Sequence, residues 1–344
     1  MSSLRFSLFA ALVSSLAANA AIDGTIVNAT TGMPQPGVVI NLIHPSSENG
    51  METLATAKSD AQGHFKLDKD LPPPPAILQS DYQGVQYNMV LPPGSQTSGV
   101  KVSVYDATSK AANASLALQH LIVLDPTAAN IHVSETFLAQ NTGKTTFSDP
   151  DKGSIQVYLP KEAQEGAKVT IQAPNGMPIT RSPEKTSQAG VFKVGYPIKP
   201  GETQYNVDYT LPASQKFNGK VLGQAKTLIV TAESVKLSGT NLQDDGLKDL
   251  GQDGPRAHVY EVTAGAGAAY ELGIEGTGTL EAGGGSGGGE SQPSEAEGGP
   301  PQPKAGPAKL YDRLGWVLGL AFGILALGGA VLYRKSPGPE HPAA

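Results

Sequence analysis

The chain has 344 residues, a formal net charge of −6 and no cysteine. That length allows two compact domains of ordinary size once tails and connectors are set aside, and the acidic balance offers no basic footprint for phosphates, which disfavours nucleic acid as a partner. Without cysteine, disulfides, thiolate zinc sites and thiol catalysis are excluded together. Glycine (41) and proline (27) make up about a fifth of the chain and aromatic residues only 6%, a composition that suits many short strands separated by turns.

Residues 1–20 read as a cleavable signal peptide: Arg5, an apolar run from Phe6 onward, then Ala18-Asn19-Ala20, with cleavage after Ala20. A disulfide-free exported chain of this size fits a bacterial envelope better than eukaryotic secretion. Two strands follow, Ile22 to Val27 and Gly37 to Leu42, around a turn cluster from Asn28 to Pro36. Ser59-Asp60-Ala61-Gln62-Gly63 is a turn, and His64-Phe65-Lys66-Leu67 alternates away from it as in a hairpin.

The Pro36-Gly37 pair before an alternating strand, followed by the Ser59 to Leu67 pattern, resembles the carboxypeptidase regulatory-like domain over residues 21–106. The resemblance implies a transthyretin-like β-sandwich and an accessory or structural role, with no peptidase activity. Pro72-Pro73-Pro74-Pro75 and an inserted-looking stretch from Ile77 to Leu91 depart from the pattern. The strand from Val100 to Tyr105 is expected to close this sandwich.

Asp106 to Ala114 reads as a linker, and a second sandwich, immunoglobulin-like with seven or so strands, is expected over 115–232. Leu116-Leu118-His120-Ile122-Leu124 and Ile131-Val133-Glu135-Phe137 alternate as strands, with Asp125-Pro126 as the turn between them. Turn-then-strand patterns at Ser148 to Val157 and Ser187 to Val194 repeat the Ser59 device loosely, and Gly176-Met177-Pro178 echoes Gly32-Met33-Pro34 beside an Asn175-Gly176 turn. Shared turn chemistry explains these echoes as well as duplication does.

Residues 233–280 carry weaker strands around an acidic loop with Asp244, Asp245, Asp249 and Asp253, and read as either a third small β unit or an extension of the second. Residues 281–308 are Gly, Ser, Pro, Glu and Gln with almost no apolar side chains, hence a disordered linker with a reach of roughly 30 Å. The stretch 314–333, from Leu314 to Tyr333, has no charge and matches the ~30 Å hydrocarbon core as a transmembrane helix. Basic residues flank it on both sides (Lys304, Lys309 and Arg313; Arg334 and Lys335), so the signal peptide orients it: the bulk is exported and the tail 334–344 is cytoplasmic. Gly315, Gly319 and Gly323 lie on one helix face, a surface where two copies can approach as a homodimer.

No constellation in the sequence compels chemistry. Asp149 and Asp151 form only part of a calcium loop and read better as a solvated turn, as does the acidic loop. Of the six histidines (His44, His64, His120, His132, His258 and His341), none stands at zinc-binding spacing, although His120 and His132 could face each other across a hairpin. The letters Gly284-Gly285-Ser286-Gly287-Gly288 and Gly143-Lys144-Thr145 echo a nucleophile elbow and a phosphate loop, but the first lies in the linker and the second has Leu138 in place of the required glycine. The expectation is therefore an all-β protein of tandem sandwiches with one C-terminal transmembrane helix, and no catalytic, cofactor or metal residues. It would be a non-enzymatic envelope protein that binds or scaffolds a protein or polysaccharide. The second expectation is an accessory subunit of a membrane enzyme or assembly complex; the third, an enzyme with a diffuse carboxylate site using Asp149, Asp151 or Glu135.

Overall fold

The structure, a computed structural model, describes residues 22–280 apart from 47–49, 175, 177, 224 and 251–253. The expected signal peptide, linker, span, glycine face and tail lie outside the described residues, as do Asn175, Met177, Asp253 and His341. Among the described residues no helix is long and apolar enough to cross a membrane, and the chain is strands joined by turns and two short 3-10 segments.

Period-two burial builds the first module. Strand β1 (Ile22–Asn28) buries every second residue, and β5 (His64–Leu67) and β8 (Val100–Val104) do the same. Together with β2 (Met33–Pro34) they form one sheet, in which β2 and β5 pair antiparallel with β1 and β8 runs parallel to it. A side chain at Gly24 would collide with the Val100 carbonyl, so this close approach requires glycine. The facing sheet has the order β4 (Gly50–Lys58), β3 (Val39–Ser46), β6 (Ala76–Tyr82), β7 (Val85–Leu91). Ile22, Ile26, Ile40, Leu42, Leu67 and Leu78 fill the space between the sheets.

Two expectations for this module are corrected. The Ser59 to Gly63 turn is real, with the Asp60 carboxylate accepting from the amides of Gln62 and His64, but it is not a hairpin. Strand β4 pairs with β3 and β5 pairs with β1, so the turn carries the chain from one sheet to the other. Nor is the stretch from Ile77 to Leu91 an insertion: it supplies β6 and β7, half of the second sheet, with Leu78 and Val85 fully buried. The β6–β7 turn places Gln83 and Gly84 both at positive φ, and a glutamine there hides the turn from a sequence reading.

The connecting segment is built into the second module. Strand β9 (Ala107–Thr108) pairs in parallel with β12 (Thr146–Phe147), and Ala114 is buried in the second core. The Tyr87 hydroxyl donates to the Tyr105 carbonyl at 2.8 Å and bonds Thr146 Oγ1 at 2.9 Å, while Thr30 Oγ1 donates to the Lys144 carbonyl. These contacts lock the two modules together.

The second module is dominated by β10 (Leu116–Pro126) and β11 (Asn130–Asn141), a long antiparallel pair. Between them the turn falls at 127–129, where Thr127 bonds Asn130, while Asp125 and Pro126 remain in β10 opposite His132 and Ile131. The expected Asp125-Pro126 turn is thus two residues early; proline is tolerated at a strand end, where no ladder donor is missed. Further strands are β13 (Ile155–Tyr158), β14 (Lys168–Gln172), β15 (Ile179–Arg181), β16 (Glu184–Lys185), β17 (Val191–Val194), β18 (Gly201–Pro212), β19 (Lys216–Lys220) and β20 (Lys226–Ala232). They outnumber the seven or so expected because several are only two to five residues long.

Strands β21 (Lys236–Ser238), β22 (Leu242–Asp249), β23 (Arg256–Val262) and β24 (Ala269–Glu275) complete the chain. One eight-stranded sheet has the order β15-β14-β18-β11-β10-β20-β23-β22, and two three-stranded sheets, β13-β17-β16 and β19-β24-β21, face it. A single core joins all three. Strands of residues 233–280 thus extend the large sheet through β23 and β22 and share its core, and Asp244, Asp245 and Asp249 of the expected acidic loop lie on the edge strand β22. Of the three hairpin-like devices only the one around Gln188 joins paired strands, β16 and β17; β13 pairs with β17 instead of with its predecessor.

The described chain ends beside the β10–β11 turn, where the Leu280 amide donates to the Asp125 carboxylate and the Gly278 amide to the Pro126 carbonyl. The first module joins at the other end of β10, roughly 33 Å away at ~3.3 Å per residue. The two exits from the second module are therefore at opposite ends of its longest strands.

Candidate functional site

The alternation that buries the large sheet also buries polar groups. In β10 the residues in phase with Ile122 and Leu124 face the core, in β11 those in phase with Val133, in β18 those in phase with Val207, and in β20 those in phase with Ile229. His120, Glu135, Tyr209 and Thr227 occupy these inward positions on four neighbouring strands. They form one hydrogen-bonded row across an otherwise apolar face. Tyr209 donates to Glu135 Oε1 at 2.6 Å, Glu135 Oε2 meets His120 Nε2 at 2.8 Å, and His120 Nδ1 meets Thr227 Oγ1 at 3.3 Å.

The His120 and Glu135 side chains are only 11% and 6% exposed. A carboxylate so buried is costly unless both oxygens are partnered, and here each oxygen has one donor. The His120 ring also stacks on Phe137, with centroids 4.0 Å apart and planes 9° apart. With Nε2 donating to the carboxylate, Nδ1 is left to accept from the Thr227 hydroxyl.

Above the row, the seam between the two smaller sheets opens a cleft. Gln156 and Tyr158 of β13 line one side, Phe217 to Lys220 of β19 and Tyr270 of β24 the other. The space for water is about 10 Å³, on the order of one molecule. Burial, reinforced by the neighbouring Glu135 charge, pushes the phenols of Tyr209 and Tyr270 far above their ordinary value. Tyr209 thus stays protonated and donates to Glu135. The order hydroxyl, imidazole, carboxylate through Thr227, His120 and Glu135 has the connectivity of a nucleophilic relay, but Thr227 is buried and the cleft has room for about one water.

The carboxylates singled out in the sequence do not assemble. Asp149 caps its own turn, accepting from the amides of Asp151 and Lys152 at 2.9 Å each. Asp244 caps the β22 bulge through Gly246, and Asp249 lies 3.7 Å from Arg256. Among the described residues no three His, Cys, Asp or Glu side chains cluster as a metal centre. His120 lies opposite Phe137 and His132 opposite Asp125, so the two histidines do not face each other. His44 contacts the Pro75 carbonyl, His64 pairs loosely with Asp60, and His258 stacks near Tyr260. Gly143 and Thr145 hold the junction, Gly143 packing on Ala114 and Thr145 donating to the Asn113 carbonyl.

Tyr209, Thr227 and Tyr270 were not singled out by sequence reasoning, nor was Lys199. Lys199 Nζ sits at the junction, 5.0 Å from the Tyr87 ring centroid and 6.0 Å from that of Tyr196, and burial lowers its pKa to about 8. For the row a signal did exist: His120 and Glu135 interrupt the apolar phase of two adjacent strands.

No protein-family model and no curated protein matches the sequence. Among solved structures, the major pilin subunit of Bacillus cereus aligns over 75% of this chain and 84% of its own, at 11% identity and a TM-score of 0.17, an overlap too loose to establish a shared fold. The resemblance to the carboxypeptidase regulatory-like domain thus has no matching family model behind it, and the all-β sandwich architecture rests on the sheets and cores themselves.

Proposed function

We propose that this chain is a non-enzymatic, membrane-anchored envelope protein that holds a two-module β unit away from the bilayer for binding or scaffolding a protein or polysaccharide. In this reading residues 1–20 direct export, 314–333 anchor the chain, and 281–308 act as the stalk. The first module is of the carboxypeptidase regulatory-like, transthyretin-like kind and the second of the immunoglobulin-like kind.

One observation carries the proposal. The described chain ends at Leu280, beside the β10–β11 turn, while the first module is locked to the opposite end of the same strands. A stalk leaving at Leu280 therefore puts the first module on the membrane-distal side. That module also offers β7 as a sheet edge with no further strand paired to it among the described residues and with Met89 and Val90 exposed, a surface type that pairs with other chains.

Fractionation with crosslinking tests this. The full-length chain is expected in the membrane fraction, resistant to alkaline extraction and digested by protease added outside the inner membrane, and removal of 314–333 should release it as a soluble exported protein. A full-length chain found in the cytosol overturns the reading. If crosslinking in intact cells recovers one stoichiometric membrane partner that is lost when 314–333 is removed, the accessory-subunit role replaces that of a free-standing binder.

A further inference from the structure

The edge strands of this molecule are not equally guarded. An unpaired edge invites other strands unless charge, a bulge or shortness blunts it. Among the described residues, β22 carries Asp244, Asp245, Lys248 and Asp249 and a bulge between Asp244 and Leu247. Strand β4 carries Glu52 and Lys58, and its ladder with β3 is bulged at Leu42 and Ile43. The remaining edge strands other than β7 have five residues or fewer. Strand β7 has none of these guards: Val85-Gln86-Tyr87-Asn88-Met89-Val90-Leu91 is seven residues long, carries no charge and pairs with β6 in unbroken register.

That register fixes which groups are free. Tyr82 and Val85 pair across a two-residue turn and so exchange hydrogen bonds. The alternation of an antiparallel ladder then directs the main-chain groups of Val85, Tyr87, Met89 and Leu91 to β6, and those of Gln86, Asn88 and Val90 to the open edge. Among the described residues no hydrogen bond reaches these outward amides and carbonyls. Gln86, Asn88, Met89 and Val90 are all exposed.

We propose that β7 is a homodimerisation edge, pairing antiparallel with β7 of a second copy about a two-fold axis at Asn88. This partner is assigned to the edge already read as a binding surface, and rests on that reading. A two-fold contact sets each side chain against one from the same strand, so charges along it would meet their own kind, and β7 has none. Centred on Asn88, all seven residues overlap: Val85 lies opposite Leu91, Gln86 opposite Val90, and Tyr87 opposite Met89 of the second copy. Gln86, Asn88 and Val90 then make about six main-chain hydrogen bonds across the axis. The exposed Met89 and Val90 are covered by the same pairing. Pro92 and Pro93, directly after the strand, lack amide donors and limit sliding of the register.

A contact of one strand per copy is at the small end of specific interfaces, and oxidative trapping reads it even when dissociation is fast. The chain has no cysteine, so a single introduced thiol reports its own neighbour. The test is copper-phenanthroline oxidation of the purified full-length chain, read on non-reducing gels. Asn88→Cys sets two thiols on the axis with Cα atoms about 5.5 Å apart, within disulfide reach, and should give a covalent dimer. Gln86→Cys alone should not, since its two copies stand roughly 14 Å apart along the ladder, but mixed with a differently tagged Val90→Cys chain it should give the mixed dimer. Gln243→Cys on the guarded edge β22 should stay monomeric. Adding Asn88→Lys to the Gln86→Cys and Val90→Cys chains sets like charges on the axis and should abolish the mixed dimer; residue 88 is exposed, so the fold is retained. Fractionation reads anchoring separately, so a membrane-bound chain that does not trap overturns the dimer and leaves the proposed function standing. No dimer with Asn88→Cys overturns the proposal, as does equal trapping by Gln86→Cys alone and Gln243→Cys, or recovery of Asn88→Cys from intact cells bonded to a different protein.

Discussion

The two modules solve the same packing problem differently. Inside the first, the sheets meet mostly through aliphatic and aromatic side chains, with a polar network of Asn28, Tyr82 and Asp106 at the end beside the connector, and the buried Ser80 hydroxyl has no partner among the described residues. Inside the second, four adjacent strands carry a connected row of phenol, carboxylate, imidazole and hydroxyl. The first module keeps its polar network at one end and fills the space between its sheets with apolar side chains, so burial supplies most of its stability. The row in the second module runs across the core instead, where a slipped strand register would leave its buried members without partners.

Substitutions sharpen that contrast. The largest effect is expected from Glu135→Ala, which strands His120 and Tyr209 in the core and should cost about 3–5 kcal/mol, read by denaturant unfolding; a loss under 1 kcal/mol would mean that water replaces the carboxylate freely. Tyr209→Phe removes one donor from a buried carboxylate oxygen and should cost about 1–3 kcal/mol by the same measurement.

Lys199 gives a smaller, pH-dependent effect at the junction. Burial lowers its folded pKa to about 8 from the ordinary 10.5, so between these values the unfolded chain binds more protons and stability rises with pH. The faces of Tyr87 and Tyr196 favour the charged form and offset part of that cost, while Arg181, 5.7 Å from the Tyr196 ring centroid, adds positive charge to the cluster. Lys199→Met should therefore stabilise the junction at pH 7 by on the order of 1 kcal/mol and flatten the gain between pH 8 and 10; thermal melts at the two pH values check the slope. The smallest effect belongs to the first module. Ser80→Ala removes an unpartnered hydroxyl and should be neutral or stabilising by up to about 1 kcal/mol, and a clear destabilisation there would show that an unseen partner satisfies it.

Much of the architecture was legible because the strand period is written residue by residue. Ile22 to Val27, His64 to Leu67 and Val100 to Tyr105 alternate in the sequence and alternate in burial. Pairing was less legible. The Asp60 turn has all the local chemistry of a hairpin yet bridges two sheets, because the Asx turn is satisfied by its own backbone whichever neighbours the strands find. The stretch from Ile77 to Leu91 departs from the carboxypeptidase regulatory-like pattern and so reads as an insertion, and Gln83, at a turn position usually given to glycine or asparagine, supplies no hairpin signal to correct it.

The candidate site shows the same division. His120 and Glu135 each stand in the apolar phase of an alternating strand, so the sequence by itself determines that both point inward if those strands form. What it does not determine is that Tyr209, 74 residues from Glu135, and Thr227, 107 residues from His120, arrive beside them. That depends on β18 pairing with β11 and β20 running parallel to β10, choices made by long-range packing and not by local propensity. Composition and periodicity determined an all-β chain with polar residues in core positions; only the tertiary structure decided that those residues meet, because a hydrogen bond needs contact in space and the sequence supplies only a phase.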